Sequence, residues 1–222
     1  MSSGFRYNGE AMTHPRRRYT LRKRAQASEE TRRRIVAAAC RLLEQAGYHQ
    51  ISLDDLARAA EVSRQTIYVQ FGSKSGVLQA VAEYIEHASL ENLVPELLAS
   101  LTPLAAFRHA CERVVAFFEK NAPILRNLQA QTIYDPEFAA IWRSKQDEIW
   151  RNTRRAIEWL AAQEGHLSGW SIDEATDWLW VLGSFEVYDK LVTERGWSAE
   201  QYIRRIMDTL EQILGVPKTE RR

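Results

Sequence analysis

The chain has 222 residues and a formal net charge of +1, so it can bury a real core as one domain or as a small domain joined to a larger one. Its two cysteines, Cys40 and Cys111, lie far apart in apolar contexts, which argues against a disulfide framework or a metal cluster. No apolar run approaches the roughly 20 residues of a membrane helix, and the N-terminus lacks an apolar signal core. We therefore expect a cytoplasmic protein without a metal or other cofactor.

Positive charge is concentrated near the N-terminus. Residues 1–76 contain 14 Lys and Arg against 7 Asp and Glu, whereas the remaining residues contain 16 against 22. A basic segment attracts phosphate backbones, and an acidic remainder is repelled by them. A solvated basic surface would explain the charge alone about equally well. The asymmetry indicates that the two halves face different partners.

The first predicted segment is a basic arm. Residues 1–27 show no apolar periodicity and include six Arg and Lys between positions 16 and 24, a composition that predicts disorder. From Ser28 onward apolar residues recur at helical spacing, and Glu29 and Glu30 suit the positive end of a helix dipole. Gly47 is expected to end this first helix as a left-handed cap.

Two short helices are predicted next, each headed by a serine. Ser52 has Asp55 three residues on, as in a capping box, and Ser63 heads a helix that ends near Phe71. The intervening residues 60–62 allow only a tight turn. This build is that of a helix-turn-helix, whose second helix enters the major groove of DNA. Three short core helices of some other bundle are a poor alternative for the whole stretch.

The same residues resemble the signature of the TetR family of transcriptional regulators. The resemblance covers about residues 28–85, where a helix ending in Ala46-Gly47-Tyr48 precedes Ala60-x-Val62-Ser63-x-x-Thr66-Ile67-Tyr68-x-x-Phe71-x-Ser73-Lys74-x-x-Val77-Leu78. It implies an all-α fold, with an N-terminal three-helix helix-turn-helix domain and a C-terminal helical domain for ligand binding and dimerisation. We accordingly expect a basic arm at 1–27, a DNA-binding domain at 28–75 and a ligand-binding and dimerisation domain at 76–222.

The resemblance also implies which residues contact DNA. It makes Ser63 the cap of the recognition helix, assigns base contacts to Arg64, Gln65, Val69 and Gln70, and assigns the phosphate backbone to Thr66, Tyr68 and Lys74. The chemistry agrees, because arginine can bond guanine O6 and N7, glutamine can bond adenine, and valine can touch a thymine methyl group. Simple solvent exposure is the alternative for each of these side chains.

Two residues depart from the family pattern. Glu61 stands in the turn where the family usually has glycine, at a cost of roughly 1–2 kcal/mol if the left-handed geometry is kept. Asp54 stands at the start of the second helix, where a basic residue is common. Phosphate contacts from that helix are therefore in doubt.

Helical periodicity continues to the C-terminus, without strand alternation. The sequence predicts a helix from Ser73 to about Leu93, which we expect to transmit movement between the two halves. Gly76 in its first turn should be a flexible position, because glycine is a poor helix former, and should tolerate replacement by alanine. A helix from Pro103 is followed by a short one capped by Asn121 and by a long one from Pro136 to about Gln163. Two last helices are predicted at about 172–195 and 199–214.

Aromatic side chains are the candidates for ligand binding in the C-terminal half. All seven tryptophans lie beyond residue 141, and three on the long helix cannot all face one core. Aromatic residues in excess of a core suit an apolar ligand cavity. The candidates are Phe107, Phe117, Phe118, Tyr134, Phe138, Trp142 and Trp150. Ordinary core packing explains the set about as well.

The last two helices contain more apolar surface than one monomer needs to bury. The resemblance assigns them to a four-helix interface of a homodimer, and an apolar seam within the monomer is the competing interpretation.

The function expected is that of a dimeric repressor that binds double-stranded operator DNA and is released by a small lipophilic or aromatic effector. An all-helical enzyme is disfavoured because the chain has no metal-ligand spacing, phosphate loop or nucleophile elbow. A DNA-binding protein without a ligand is disfavoured by the aromatic C-terminal half.

Overall fold

The computed structural model describes residues 15–45, 51–90, 102–164 and 167–215, which form helices and turns without a strand among them. The helices are α1 (Pro15–Gln45), α2 (Leu53–Ala59), α3 (Arg64–Phe71), α4 (Lys74–Leu90), α5 (Pro103–Tyr134), α6 (Pro136–Glu164), α7 (Ile172–Leu182), α8 (Phe185–Tyr188) and α9 (Ala199–Ile213). A π-helical turn, Asp189–Glu194, continues α8. The predicted all-α fold is confirmed.

Helix α1 begins earlier than the sequence pattern predicts. It starts at Pro15 and includes residues 15–27, which were predicted to be disordered. Proline suits the first turn of a helix, and the Arg, Lys, Leu, Ala and Gln residues that follow are good helix formers, so the helix forms there without an apolar period in the sequence. Residues 1–14 of the predicted arm and Gly47, the predicted cap, lie outside the described residues.

The N-terminal helices share one apolar core. Helix α1 contributes Ile35, Ala39 and Leu43, while α2 and α3 contribute Leu56 and Ile67, all almost fully buried. Helix α4 closes this core on its other side with Val77, Leu78, Val81 and Ile85. The burial of α1 and α4 around two short helices holds α3 in place, although α3 itself contributes a single fully buried side chain.

Helix α5 is continuous where the sequence predicts a break. It runs through Pro123, and Asn121, predicted as a helix cap, is a buried interior residue whose Nδ2 donates to the Phe117 carbonyl at 2.9 Å. A proline inside a helix costs about 3 kcal/mol because it removes one backbone hydrogen bond. The neighbouring residues Ile124 and Leu125 are buried in the core, and their burial offsets that cost.

The C-terminal helices depart from the predicted boundaries at one place. The helix predicted over 172–195 is interrupted at Gly183, after which Ser184 caps the short α8 by accepting from the Val187 N–H. Tyr202 of α9 donates its hydroxyl to the Leu182 carbonyl that the break exposes. A helix end whose carbonyl groups are satisfied in this way is stable inside the fold. The predictions of α6 and α9 are confirmed.

Helix α4 is joined to the corner between α5 and α6 by two serine–carboxylate hydrogen bonds. Ser73 Oγ donates to Glu137 Oε1 at 3.1 Å, and Ser75 Oγ donates to Asp135 Oδ2 at 2.8 Å. The other oxygen of Asp135 caps α6 by accepting from the Phe138 N–H at 2.9 Å. The N-terminal end of α4 is therefore tied directly to the start of α6.

Gly76 is a tightly packed residue, and its prediction as a flexible position that tolerates alanine is wrong. A Cβ atom added there would lie 2.1 Å from the Phe71 carbonyl oxygen, at the end of α3. The glycine allows the first turn of α4 to lie against the end of the recognition helix, a close approach that a helical pattern alone does not reveal.

Candidate nucleic-acid interface

The short helix α2 is held at its start by a reciprocal cap. Ser52 Oγ accepts from the Asp55 N–H at 3.1 Å, and Asp55 Oδ2 accepts from the Ser52 N–H at 3.0 Å. Hydrogen bonds from the Ser52 side chain and backbone hold the pKa of Asp55 below its ordinary value. The predicted capping box is confirmed, and it starts α2 close to the turn that leads into α3.

The turn between α2 and α3 keeps the left-handed geometry despite lacking glycine. Glu61 has φ of 54°, a conformation that costs a non-glycine residue roughly 1–2 kcal/mol. The next residue, Val62, donates its N–H to the Ala57 carbonyl at 2.9 Å. The backbone bond and the packing of the two helices therefore keep the turn tight.

Helix α3 presents one solvent-exposed face of four side chains. These are Arg64, Gln65, Tyr68 and Val69, at spacings of one and four residues, which place them side by side on a helix. Val69 is 72% exposed and Tyr68 is 44% exposed. A helix of eight residues with a valine and a tyrosine turned to solvent suits a contact surface better than a core element.

The opposite side of α3 is anchored to the rest of the domain. Gln70, predicted to contact a base, donates its Nε2 to Ser28 Oγ of α1 at 2.8 Å. Arg32 of α1 donates to the Gln70 carbonyl at 3.1 Å and lies over the Phe71 ring, 4.5 Å from its centroid. Gln70 therefore lies on the inner side and supports the helix.

Of the residues predicted to contact phosphates, Thr66 lies in the first turn of α3, Tyr68 on its exposed face and Lys74 just beyond its end. Ser63 caps α3 by accepting from the Thr66 N–H at 3.1 Å, and its hydroxyl bonds that of Thr66 at 2.8 Å. Lys74 begins α4 just beyond α3. Burial lowers the pKa of the Lys74 ammonium, and the nearby Asp135 carboxylate opposes that shift. The hydroxyl groups of Ser63 and Thr66 thus lie at the start of α3, and the Lys74 ammonium lies near Asp135.

A cavity that is open to solvent lies in the C-terminal half, between α6 and the junction of α7 with α8. Its volume is about 520 Å³, within the range of small-molecule sites. The indoles of Trp142 and Trp180 line it together with polar groups of Arg143, Gln146, Ser184 and Glu186. This combination can hold a flat apolar body and bond its polar substituents.

The structure distributes the seven aromatic candidates over several places. Trp142 lines the cavity, and Phe138, fully buried, packs against it with ring centroids 6.0 Å apart. Phe118 lies in an aromatic cluster with Phe185 and Tyr188, at centroid distances of 5.4 and 5.3 Å. Phe107 and Phe117 are half-buried beside that core. Trp142 is thus a residue predicted to bind ligand that does line the cavity.

The remaining two candidates lie elsewhere. Trp150 bridges α6 and α7 by donating its Nε1 to Asp177 Oδ1 at 2.8 Å, and Tyr134, at the end of α5, is 70% exposed. Trp180, Arg143 and Gln146 line the cavity but were not singled out from the sequence. The spacing of Gln146 four residues after Trp142 was the available signal.

The apolar face of α9 lies inside the monomer. Tyr202, Ile203, Ile206, Met207, Leu210 and Ile213 are all buried, so the competing interpretation of an intramolecular seam is correct for this helix. On α7, however, Trp178 is 53% exposed and Val181 is 43% exposed. Part of the apolar surface of α7 is therefore exposed, as are apolar side chains of α5 and α6, such as Ile133 and Trp159.

The described residues contain no cluster of three or more metal-ligating side chains. Among the helices in the described ranges, none combines the length and apolarity needed to cross a membrane.

Comparison with known proteins identifies the N-terminal region. Residues 35–81 match the family model of bacterial regulatory proteins of the TetR family. The chain is 40% identical over 76 residues to the HTH-type transcriptional regulator SrpR of Pseudomonas putida, covering 34% of this chain and 36% of that protein. It is 32% identical over 111 residues to the regulator EthR of Mycolicibacterium smegmatis, covering 49% and 50%. The matched segments thus span half or less of these two relatives.

The whole described fold is also that of a solved protein. The crystal structure of NalD, the secondary repressor of the MexAB-OprM multidrug efflux pump in Pseudomonas aeruginosa, superposes with a TM-score of 0.66 at 24% identity. The superposition covers 83% of this chain and 98% of that one. Residues 35–81 are therefore similar to the helix-turn-helix region of TetR-family regulators, and the chain has the fold of NalD.

Proposed function

We propose that this chain is a repressor that binds palindromic operator DNA as a dimer and is released by a small lipophilic or aromatic effector. The exposed face of α3 carries the proposal, because Arg64, Gln65 and Val69 stand together on a helix that α1 and α4 anchor from behind. These side chains match the groups that read guanine, adenine and thymine edges. NalD, which has a similar fold, is a repressor, and this similarity supports repression rather than activation here.

Selection of bound sequences from a random duplex library tests the DNA-binding part of the proposal. We expect a palindrome whose half-site centres lie about one helical turn apart, or a multiple of it, because two recognition helices of a dimer must enter successive major grooves roughly 34 Å apart. Native mass spectrometry of the selected complex should show an even number of chains per duplex. Enrichment of no sequence, or of a single half-site bound by one chain, would contradict the proposal.

The cavity beside Trp142 and Trp180 supports the effector part. Its two indoles favour a flat apolar ligand, and Arg143, Gln146 and Glu186 offer donors and acceptors for its substituents. The cavity begins near the start of α6, and Asp135 and Glu137 at that end are bonded to Ser75 and Ser73. A ligand that moves α6 therefore acts on the first turn of α4.

A ligand found by a thermal-shift screen of aromatic compounds tests this part. The compound should bind operator-bound protein about 5- to 150-fold more weakly than free protein, because coupling between two sites is reciprocal. Trp142→Ala should reduce affinity for the compound. Trp159→Ala, which changes a 47% exposed tryptophan of the same helix, is the matched control and should not. Equal affinities in the free and bound states would rule out release by the ligand.

A further inference from the structure

Asp54 is an acidic residue on the surface that faces DNA in the proposed function. It is the second residue of α2, and its side chain is 60% exposed. Its Oδ2 lies 3.5 Å from Nη1 of Arg64, the first residue of α3. The pair therefore links the two helices of the helix-turn-helix at the point where the recognition helix begins.

The neighbouring carboxylate, that of Asp55, has different partners. Asp55 accepts from the Ser52 N–H and hydroxyl and forms an ion pair with Arg58 at 3.1 Å. Its oxygens are thus engaged within α2 and its cap. Asp54 is directed across the turn to α3, and its partner is a side chain with the best chemistry for reading a guanine edge.

The fold does not require this ion pair. Both side chains are more than half exposed, and exposed pairs contribute about 0.2–1 kcal/mol at most. A carboxylate beside DNA also repels the phosphates and weakens binding to every sequence. The contact adds little to stability and weakens DNA binding in general, so its benefit must lie in how it orients the Arg64 side chain when DNA is bound.

We propose that Asp54 is a positioning residue, which holds the Arg64 guanidinium toward the base edges and thereby sets the discrimination between operator and unrelated DNA. An arginine without a partner can turn to the nearest phosphate of any duplex, whereas a carboxylate on one side of the guanidinium leaves the remaining N–H groups for a guanine. The phosphate repulsion lowers affinity for all sequences alike and leaves their ratio unchanged, so the discrimination must come from the contact with Arg64. This inference rests on the proposed DNA-binding function.

The test compares Asp54→Asn with the native chain on two duplexes of equal length, the selected operator and a scrambled sequence, at two salt concentrations. Loss of the negative charge should tighten binding to the scrambled duplex. Operator binding should gain less or weaken, so that the ratio of the two Kd values falls about five- to 100-fold, the discrimination that a well-placed arginine provides. Asp54→Glu, which keeps the carboxylate, should recover part of that ratio.

Glu61→Gln is the matched control, because it removes one negative charge from the adjacent turn, where Glu61 is exposed. It should tighten both duplexes to a similar degree and leave the ratio unchanged. In an Arg64→Ala background, Asp54→Asn should no longer change the ratio, because interacting residues are non-additive.

Two outcomes would overturn the inference. One is that Asp54→Asn leaves the ratio of the two Kd values unchanged, and the other is that it lowers this ratio equally in the native and the Arg64→Ala backgrounds. A native chain that shows no preference for any duplex would instead contradict the proposed function. Free energies of unfolding measured for each variant separate a folding defect from an effect on DNA recognition.

Discussion

At the scale of single residues, the region similar to the TetR family departs from the family pattern at two positions that have different consequences. Glu61 accepts a left-handed φ of 54°, so the turn keeps its shape at a cost in stability. Asp54 changes the electrostatics of the surface, because it stands where the family often has a basic residue and pairs with Arg64. The first departure costs folding energy, and we expect the second to act on DNA recognition.

Arg64 and Lys74 should respond differently to truncation. Arg64→Ala is expected to cost about 1–3 kcal/mol on the selected operator and to relax the preference at one base step, because arginine reads a base edge. Lys74→Ala should weaken all sequences about equally and lower the slope of log K against log salt by about 1, because it loses a phosphate contact. Binding isotherms on operator and scrambled duplexes over a salt series measure both effects. Native binding and preference in both variants would contradict these roles.

At the scale of helices, the contacts of α4 with its neighbours join the two halves of the molecule. Ser73 and Ser75 bond Glu137 and Asp135 on one side, and Gly76 touches the end of α3 on the other. Helices α1 and α5 provide a second connection, since Asn127 Nδ2 donates to the Leu43 carbonyl at 2.8 Å. These contacts link the start of α6 to the end of α3 through the first turn of α4.

Gly76→Ala tests the close approach of α4 to α3. Alanine improves helix propensity by about 1 kcal/mol, but its Cβ would lie 2.1 Å from the Phe71 carbonyl oxygen, and overpacking costs about 1–3 kcal/mol. We expect a net loss of unfolding free energy and weaker operator binding, because the end of α3 must shift. Denaturant unfolding and DNA titration measure the two effects.

Gly183→Ala is the control for this prediction. Its Cβ would meet the Leu179 carbonyl oxygen at 3.1 Å, a milder contact far from α3 along the chain. It should affect stability less and leave operator binding unchanged. If the Gly76→Ala variant is as stable as the native chain and binds operator equally well, α3 and α4 are not tightly packed at this point.

At the scale of the whole molecule, the fold uses the apolar face of α9 for its own core and leaves part of α7 exposed. Burial of Tyr202, Leu210 and Ile213 within the monomer reduces the apolar surface available to a partner. Trp178 and Val181 remain exposed on α7, and tryptophan is a common anchor of protein interfaces. We therefore expect the dimer contact to be centred on α7, with the outer side of α9 as a polar rim.

Trp178→Glu should convert the dimer to a monomer. A charge in the centre of an apolar contact must be buried without a partner, which costs several kcal/mol, and the monomer should bind the palindrome much more weakly. Sedimentation velocity measures the assembly and DNA titration the affinity. Trp159→Glu changes a tryptophan of similar exposure on α6 and should leave the dimer intact. Equal sedimentation of the two variants as dimers would place the interface elsewhere.

Local rules predicted much of the fold and of the recognition surface. The caps at Ser52 and Ser63, the start of α6 at Pro136 and the range of α9 are confirmed, because a serine cap or an apolar period acts within one or two turns of the chain. The exposed positions of Arg64, Gln65 and Val69 on α3 followed from the same periodicity.

The sequence by itself determined that the chain is helical, where the short helix α3 lies and which residues share its outer face, because these depend on neighbours a few residues away. Only the tertiary structure decided that α5 continues through Pro123, that Gly76 touches α3 and that Gln70 turns toward α1. It also decided that Trp142 and Trp180 meet at one cavity. The continuity of α5, the position of Gln70 and the cavity depend on packing between segments distant in the chain, whose burial and hydrogen bonds outweigh the local preference. The contact of Gly76 with Phe71 is local, but it depends on how the chain turns between α3 and α4, which helical periodicity does not reveal.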